Sequence, residues 1–152
     1  IASVYRLNEH AEKLDAVILA NGDNFADALA GSYLAAKKNA PILIVNDANI
    51  ANVTAYIKEN VHKSGTVYIL GGTRAVSSKM ESGLSSYTVK RLAGDNRYAT
   101  NLRILDEADV WEDDILICTG TNFADSLSAS AAGNGSNTLE QQVAKAVAGG
   151  LY

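Results

Sequence analysis

The chain has 152 residues, 47% of them hydrophobic and 20% charged, with a formal net charge of −4. That length supports one or two domains with a sizeable core, and the mild acidity argues against a generic nucleic-acid or membrane-surface binder, which needs a basic face. A lone cysteine, Cys118, excludes a disulfide framework or a thiol metal cluster, and no apolar run reaches the roughly 18 residues of a membrane span.

In chain order, Val4, Leu7, Ala11 and Leu14 recur at helical spacing and predict an amphipathic helix over 2–14. Val17–Ala20 is a short, wholly apolar run, as expected of a strand buried on both faces of a parallel sheet. Gly22-Asp23-Asn24 supplies a tight turn and a helix cap, and an alanine-rich helix follows from Phe25 to about Lys38. Asn39-Ala40-Pro41 ends it, because the residue before proline resists helical geometry. Ile42–Val45 reads as a second buried strand. A helix over 49–61 turns Ile50, Val53, Ile57 and Val61 inward. Thr66–Leu70 is a third strand closed by Gly71-Gly72, with a short helix over 76–84 behind it. Tyr87–Leu92 alternates and is more polar, which predicts an edge strand or a linker between units. Beyond it come a helix over 96–108, a strand over 115–119, a helix over 124–132 broken at Gly133-Asn134-Gly135, and a last helix over 139–148 stopped by Gly149-Gly150. Cys118 lies in the apolar strand of that second half and reads as a buried, inert thiol.

Strands alternating with helices through short turns define an α/β layered fold with a mainly parallel sheet. The chain also repeats itself. Gly22, Asn24, Phe25, Ala26, Asp27 and Leu29 recur as Gly120, Asn122, Phe123, Ala124, Asp125 and Leu127 at a constant offset (120 − 22 = 98). This makes the chain a piece of a repeat array. The expected boundary lies near Lys90 or Arg91. Residues 1–90 then form one repeat, and 91–152 form the opening half of a second plus a C-terminal helix.

The stretch Arg91-Leu-Ala-Gly94-Asp95-Asn96-Arg97-Tyr98, taken with Gly22–Ala30, Ala40–Val45 and Val67–Gly72, resembles the cell-wall-binding repeat, type 2. The resemblance spans about residues 1–133. It implies Rossmann-like or toprim-like modules that occur in tandem on Gram-positive surface proteins and bind an anionic wall polymer without catalysis. It also implies an extracellular location at the cell wall or cell surface, with neighbouring repeats as partners. The first repeat lacks its own opening Arg-x-x-Gly-x-x-Arg-Tyr motif. The second lacks the later Pro-Ile-Leu strand and Gly-Gly turn, and residues 134–152 follow no pattern of the family.

Candidate polymer contacts are Arg91 and Arg97, whose guanidinium forks suit carboxylate or phosphate, with Gly71, Gly72, Asn24 and Asn122 at strand-end turns, where backbone N–H groups attract anions. Each has a plainer alternative. Glycine also simply permits a turn, and Asp27 or Asp125 can pair structurally with an arginine of the Asp95-Asn96-Arg97-Tyr98 loop. Lys37, Lys38, Arg74, Lys79 and Lys90 read as surface charges. Asp106-Glu107-Ala108-Asp109 spells a helicase tetrapeptide without the phosphate loop that such chemistry needs. No cofactor, metal ligand set, catalytic constellation or nucleic-acid partner is expected. The competing readings are a small-ligand or nucleotide-binding α/β enzyme using the same strand ends, and a purely structural unit whose half repeat packs on another chain as a homo-oligomer.

Overall fold

A computed structural model describes residues 13–23 and 25–109, together with 119–121, Ala124 and Leu127. The described chain runs β1 (Leu14–Asn21), α1 (Phe25–Lys38), β2 (Ile42–Val45), α2 (Ile50–Asn60), β3 (Val61–Leu70), α3 (Ser78–Ser82), β4 (Thr88–Leu92) and α4 (Arg97–Ala108). The strands form one parallel sheet in the order β2-β1-β3-β4. The expected α/β fold with a parallel sheet is what the chain adopts.

Helices cover both faces of the sheet. On one, Ala16, Ile18 and Ala20 of β1 and Tyr68 and Leu70 of β3 pack with Ala30, Tyr33 and Leu34 of α1 and Ile104, Leu105 and Ala108 of α4. On the other, Val17 and Leu19 of β1 and Val67 and Ile69 of β3 pack with Ile57 of α2 and with Val76, Met80 and Leu84 around α3. The alternation along β1 and β3 explains why both strands read as unbroken apolar runs. Gly31 shows why α1 is rich in small residues. A Cβ there would lie 2.4 Å from Leu70 Cδ1, so the helix can rest close to the sheet.

Local chemistry sets most of the boundaries. Asn39 ends α1 with φ 49°, a left-handed conformation that asparagine tolerates. Asn96 caps α4 by accepting hydrogen bonds from Tyr98 N and Ala99 N at 3.0 Å each. Ser77 Oγ accepts from Lys79 N at 3.3 Å at the start of α3.

Three expectations need correction. Leu14 opens β1 and does not close a helix; its side chain is buried with Val17 and Leu19. Val61 is buried, but as the first residue of β3 and not as the last turn of α2. The third strand is accordingly longer than Thr66–Leu70. Between Leu14↔Val61 and Ala16↔Thr66 the register shifts, and the exposed His62-Lys63-Ser64 hides that extra stretch from any hydrophobic pattern. The boundary expected near Lys90 or Arg91 passes through β4, which is an edge strand as expected. Residues 2–12 of the expected helix over 2–14, residues 115–118 of the expected strand over 115–119, Cys118 among them, and the helical residues expected beyond Leu127 lie outside the described residues.

Candidate functional site

The strand order 2-1-3-4 reverses direction between β1 and β3, and ligands in open α/β sheets bind at the carboxyl ends of strands around such a point. The rim there has two sides, one under α1 and α4, the other under α2 and α3.

On the first side the chain folds a charged group inward. Gly71 continues from β3 with φ +90°, and its N–H donates to Leu92 O at 2.9 Å, extending the β3–β4 ladder by one step. A Cβ at Gly71 would fall 2.6 Å from Asp27 Oδ2 and 2.9 Å from Ala75 Cβ, so only glycine fits. Asp27, in the first turn of α1, is 3% exposed. Burial raises its pKa above the ordinary 3.8, and the positive charge of Arg97 works against that rise. Arg97, exposed at the start of α4, donates from Nη1 to the carbonyl oxygen of Gly120 at 3.0 Å. Arg91, in register with Ile69, is held inside the rim from the opposite side, that of α2 and α3. Its Nε lies 3.0 Å from Glu81 Oε1, its Nη1 donates to Gly71 O at 2.9 Å, and its Nη2 is buried without a hydrogen-bond partner among the described residues.

On the second side the rim opens into a cleft of about 390 Å³ lined by Asn21, Asp23, Asn46, Asp47, Thr73 and Arg74, among others. Short amides organise its walls. Asn21 donates from Nδ2 to Ala75 O and accepts from Asp23 N at 2.6 Å. Asn46 Oδ1 accepts from Ala48 N and Asn49 N at 3.0 Å each. Asn49 returns the contact by accepting from Asn46 N at 2.9 Å.

Of the expected contact and pairing residues, the structure sets Gly71, Asp27 and Arg97 on the side of α1 and α4, whereas Arg91 faces the side of α2 and α3, where Glu81 of α3 is its partner. Gly72 beside Gly71 is half-buried, with nothing within 4 Å of an added Cβ. Asp95 is exposed and Tyr98 half-buried on the loop into α4. Asn24, Asn122 and Asp125 lie outside the described residues. The cleft residues Asn21, Asn46 and Asp47 were missed by the sequence reading, as was Glu81 as the partner of Arg91. The available signal for the cleft was the cluster of Asn and Asp directly after two buried strands. Lys37, Lys38 and Lys90 are not at this rim. Lys37 lies over the Tyr33 ring at 5.6 Å, and Lys38 and Lys90 both lie over the Tyr68 ring at 5.9 Å. Lys90 also pairs with Glu107 at 2.8 Å. Among the described residues no group of three or more His, Cys, Asp or Glu is placed to hold a metal, and no helix is long and apolar enough to cross a membrane.

A doubly wound sheet ending in a polar rim defines an α/β module whose turns and short polar side chains stand at the carboxyl edge of its strands. Comparison with known sequences gives that class a family. Cell wall binding domain 2 (CWB2) matches over residues 1–81 and 91–139, and the chain belongs to this family as about one and a half repeats of a cell-wall-binding module. It is similar to the amidase enhancer of Bacillus subtilis (strain 168), 34% identical over 123 residues, covering 79% of this chain and 17% of that protein. It is also similar to the N-acetylmuramoyl-L-alanine amidase LytC of the same organism, 39% identical over 90 residues, covering 57% of this chain and 18% of the enzyme. Among solved structures, Cwp8 from Clostridium difficile matches with a TM-score of 0.71 at 32% identity, over 87% of this chain and 24% of that one. Cwp6 from the same organism matches with a TM-score of 0.70 at 27% identity, over 93% and 22%. The chain thus spans less than a quarter of each of these relatives.

Proposed function

We propose that the chain is a non-catalytic anchoring module that retains an extracellular protein at the Gram-positive cell wall by binding an anionic surface polysaccharide. Its membership of the CWB2 family carries the reading. The parts shared with an amidase and an amidase enhancer are a small fraction of those proteins, which fits a module that locates an activity housed elsewhere. On this reading residues 1–90 are one repeat lacking its opening motif, and 91–152 are the opening half of the next.

The contact surface is the carboxyl rim. Gly72 and Arg97 stand toward its surface, Arg91 and Gly71 support it from beneath, and Asn24 and Asn122 mark the two repeated turns. The amides and carboxylates of the neighbouring cleft suit sugar hydroxyls, and Arg74 suits an anionic substituent. Because the whole chain is net negative, attraction to a negative polymer has to come from such local charge and weakens with salt. Co-sedimentation with purified walls tests this. Binding should fall when acidic glycans are stripped and as salt rises. Sedimentation indifferent to both treatments would remove the anionic polymer from the account.

A further inference from the structure

The cleft under α2 and α3 carries a charge pattern that a purely anionic ligand does not match. Among the described residues, the charged groups that line it are Asp23, Asp47 and Arg74, two negative and one positive, around a space of about 390 Å³. All three are exposed, and none of their side chains makes a hydrogen bond or ion pair with another described residue. Other charges of the chain are matched internally, Arg91 with Glu81 and Lys90 with Glu107. In the cleft opposite charges share one space and stay apart, so each remains available to a group that enters.

The backbone beneath these charges is fixed. Asn21 accepts from Asp23 N and donates to Ala75 O, which joins the turn carrying Asp23 to the segment carrying Arg74. Asn46 Oδ1 accepts from Ala48 N and Asn49 N and folds the chain around Asp47, while Asn49 Nδ2 donates to Ile44 O at 3.1 Å. Positions set in advance lower the ordering cost of binding. The volume is at the small end of ligand pockets, which run from roughly 300 to 1,000 Å³. It suits one sugar residue with its substituents.

We propose that the cleft takes a zwitterionic sugar unit, with a protonated amine against Asp23 and Asp47 and a neighbouring phosphate or carboxylate against Arg74. The proposal rests on the anchoring function and narrows the polymer to one that carries amines as well as anions. A polymer with anions alone would set its charge against two carboxylates for one guanidinium, which is unfavourable. An ammonium reverses the sign of both contacts, and its three donors match groups that only accept. An amino sugar and an aminoacyl ester on a sugar hydroxyl present this same chemistry. The second copy of the turn carries Thr121 in place of Asp23, so this carboxylate belongs to the first repeat.

The test follows the Asp23 and Asp47 amides by NMR in the full 152-residue chain. Glucosamine 6-phosphate, N-acetylglucosamine 6-phosphate and glucose 6-phosphate are added at about pH 6, where a free amine carries its proton. The free-amine sugar should bind about tenfold more tightly than the other two, the discrimination expected of a charge-assisted contact. Asp23→Asn combined with Asp47→Asn should erase that preference, and Arg74→Ala should weaken all three sugars. Glu59→Gln, which removes an exposed negative charge of α2 that does not line the cleft, should keep it. Equal affinity for the three sugars overturns the proposal, as does a preference that survives the double variant or is lost with Glu59→Gln. On purified walls, N-acetylation should lower retention of the parent chain. Mild alkali should lower it as far when the amine is an ester, and leave it unchanged when the amine is on the sugar itself. Equal retention on acetylated and untreated walls overturns the zwitterionic unit and leaves anchoring intact, whereas no retention on either overturns the anchoring function.

Discussion

The two sides of the carboxyl rim are built from the same strand ends and differ in how much of their polar surface is left open to water. Under α1 and α4 the Asp27 carboxyl is drawn inside, into room that Gly71 leaves by having no Cβ. Under α2 and α3 Arg91 is held against Glu81, and beyond that pair the rim opens into a cleft of short amides, carboxylates and hydroxyls, with Arg74 exposed among them. Charge at a strand end is therefore not by itself a binding group. Where it is buried it sets geometry, and where short polar side chains stand open to water they can meet a ligand.

The adjacent glycines at the end of β3 break or sharpen this contrast most strongly. Gly71→Ala combines a positive-φ cost with a 2.6 Å approach to Asp27 Oδ2, and should destabilise the fold by about 2–4 kcal/mol. Gly72→Ala meets nothing within 4 Å and should stay within about 0.5 kcal/mol of the parent. Urea unfolding of the two variants checks both values. Equal losses would mean that the closed side of the rim is no tighter than the open side.

The arginines come next. Arg91→Ala removes a largely buried contact to Glu81 and the donor to Gly71 O, and should cost about 2–3 kcal/mol. Arg74→Ala should leave stability within about 0.5 kcal/mol and lower retention on purified walls. If instead Arg91→Ala keeps its unfolding midpoint and loses only wall retention, Arg91 is a contact residue and not a support.

Much of this frame could be read from the residues. Val17–Ala20, Ile42–Val45 and Phe25–Lys38 are legible because their burial is continuous or their ends carry Gly, Asn or Pro signals. The repeat at an offset of 98, with the Arg91–Tyr98 motif, was enough to reach the family that the comparison shows. What stayed hidden depended on partners distant in sequence. Arg91 reads as a free cation until Glu81 and the Gly71 carbonyl are brought to it. Val61 reads as a helical residue because its hydrophobicity fits either period, and three exposed residues separate it from the apolar part of β3. The repeat boundary expected at Lys90 or Arg91 falls inside β4, and α4 beyond it completes the first core by burying Ile104, Leu105 and Ala108. A sequence period marks how segments were duplicated, not where a hydrophobic core closes.

The smallest effect separates the two ends of the α1–α4 pair. At their N-termini Asp27 has its pKa raised, chiefly by burial. Toward their C-termini Glu107 has its pKa lowered, chiefly by its hydrogen bond with Lys90. The signs oppose. A raised carboxyl contributes most to stability below its ordinary value of 3.8 and loses that contribution as pH rises through its folded value. A lowered one contributes above its ordinary value of 4.5 and loses that contribution as pH falls through its folded value. Relative to Asp27→Asn, the parent should therefore gain stability as pH falls from 7 toward about 4. Relative to Glu107→Gln it should lose stability over the acid end of that range, by less than about 1 kcal/mol because Lys90 is half exposed. Matched urea midpoints across the range measure both slopes. The same slope for the two variants would mean that burial does not raise the Asp27 carboxyl, and the distinction between a sealed and an open rim would lose its electrostatic basis.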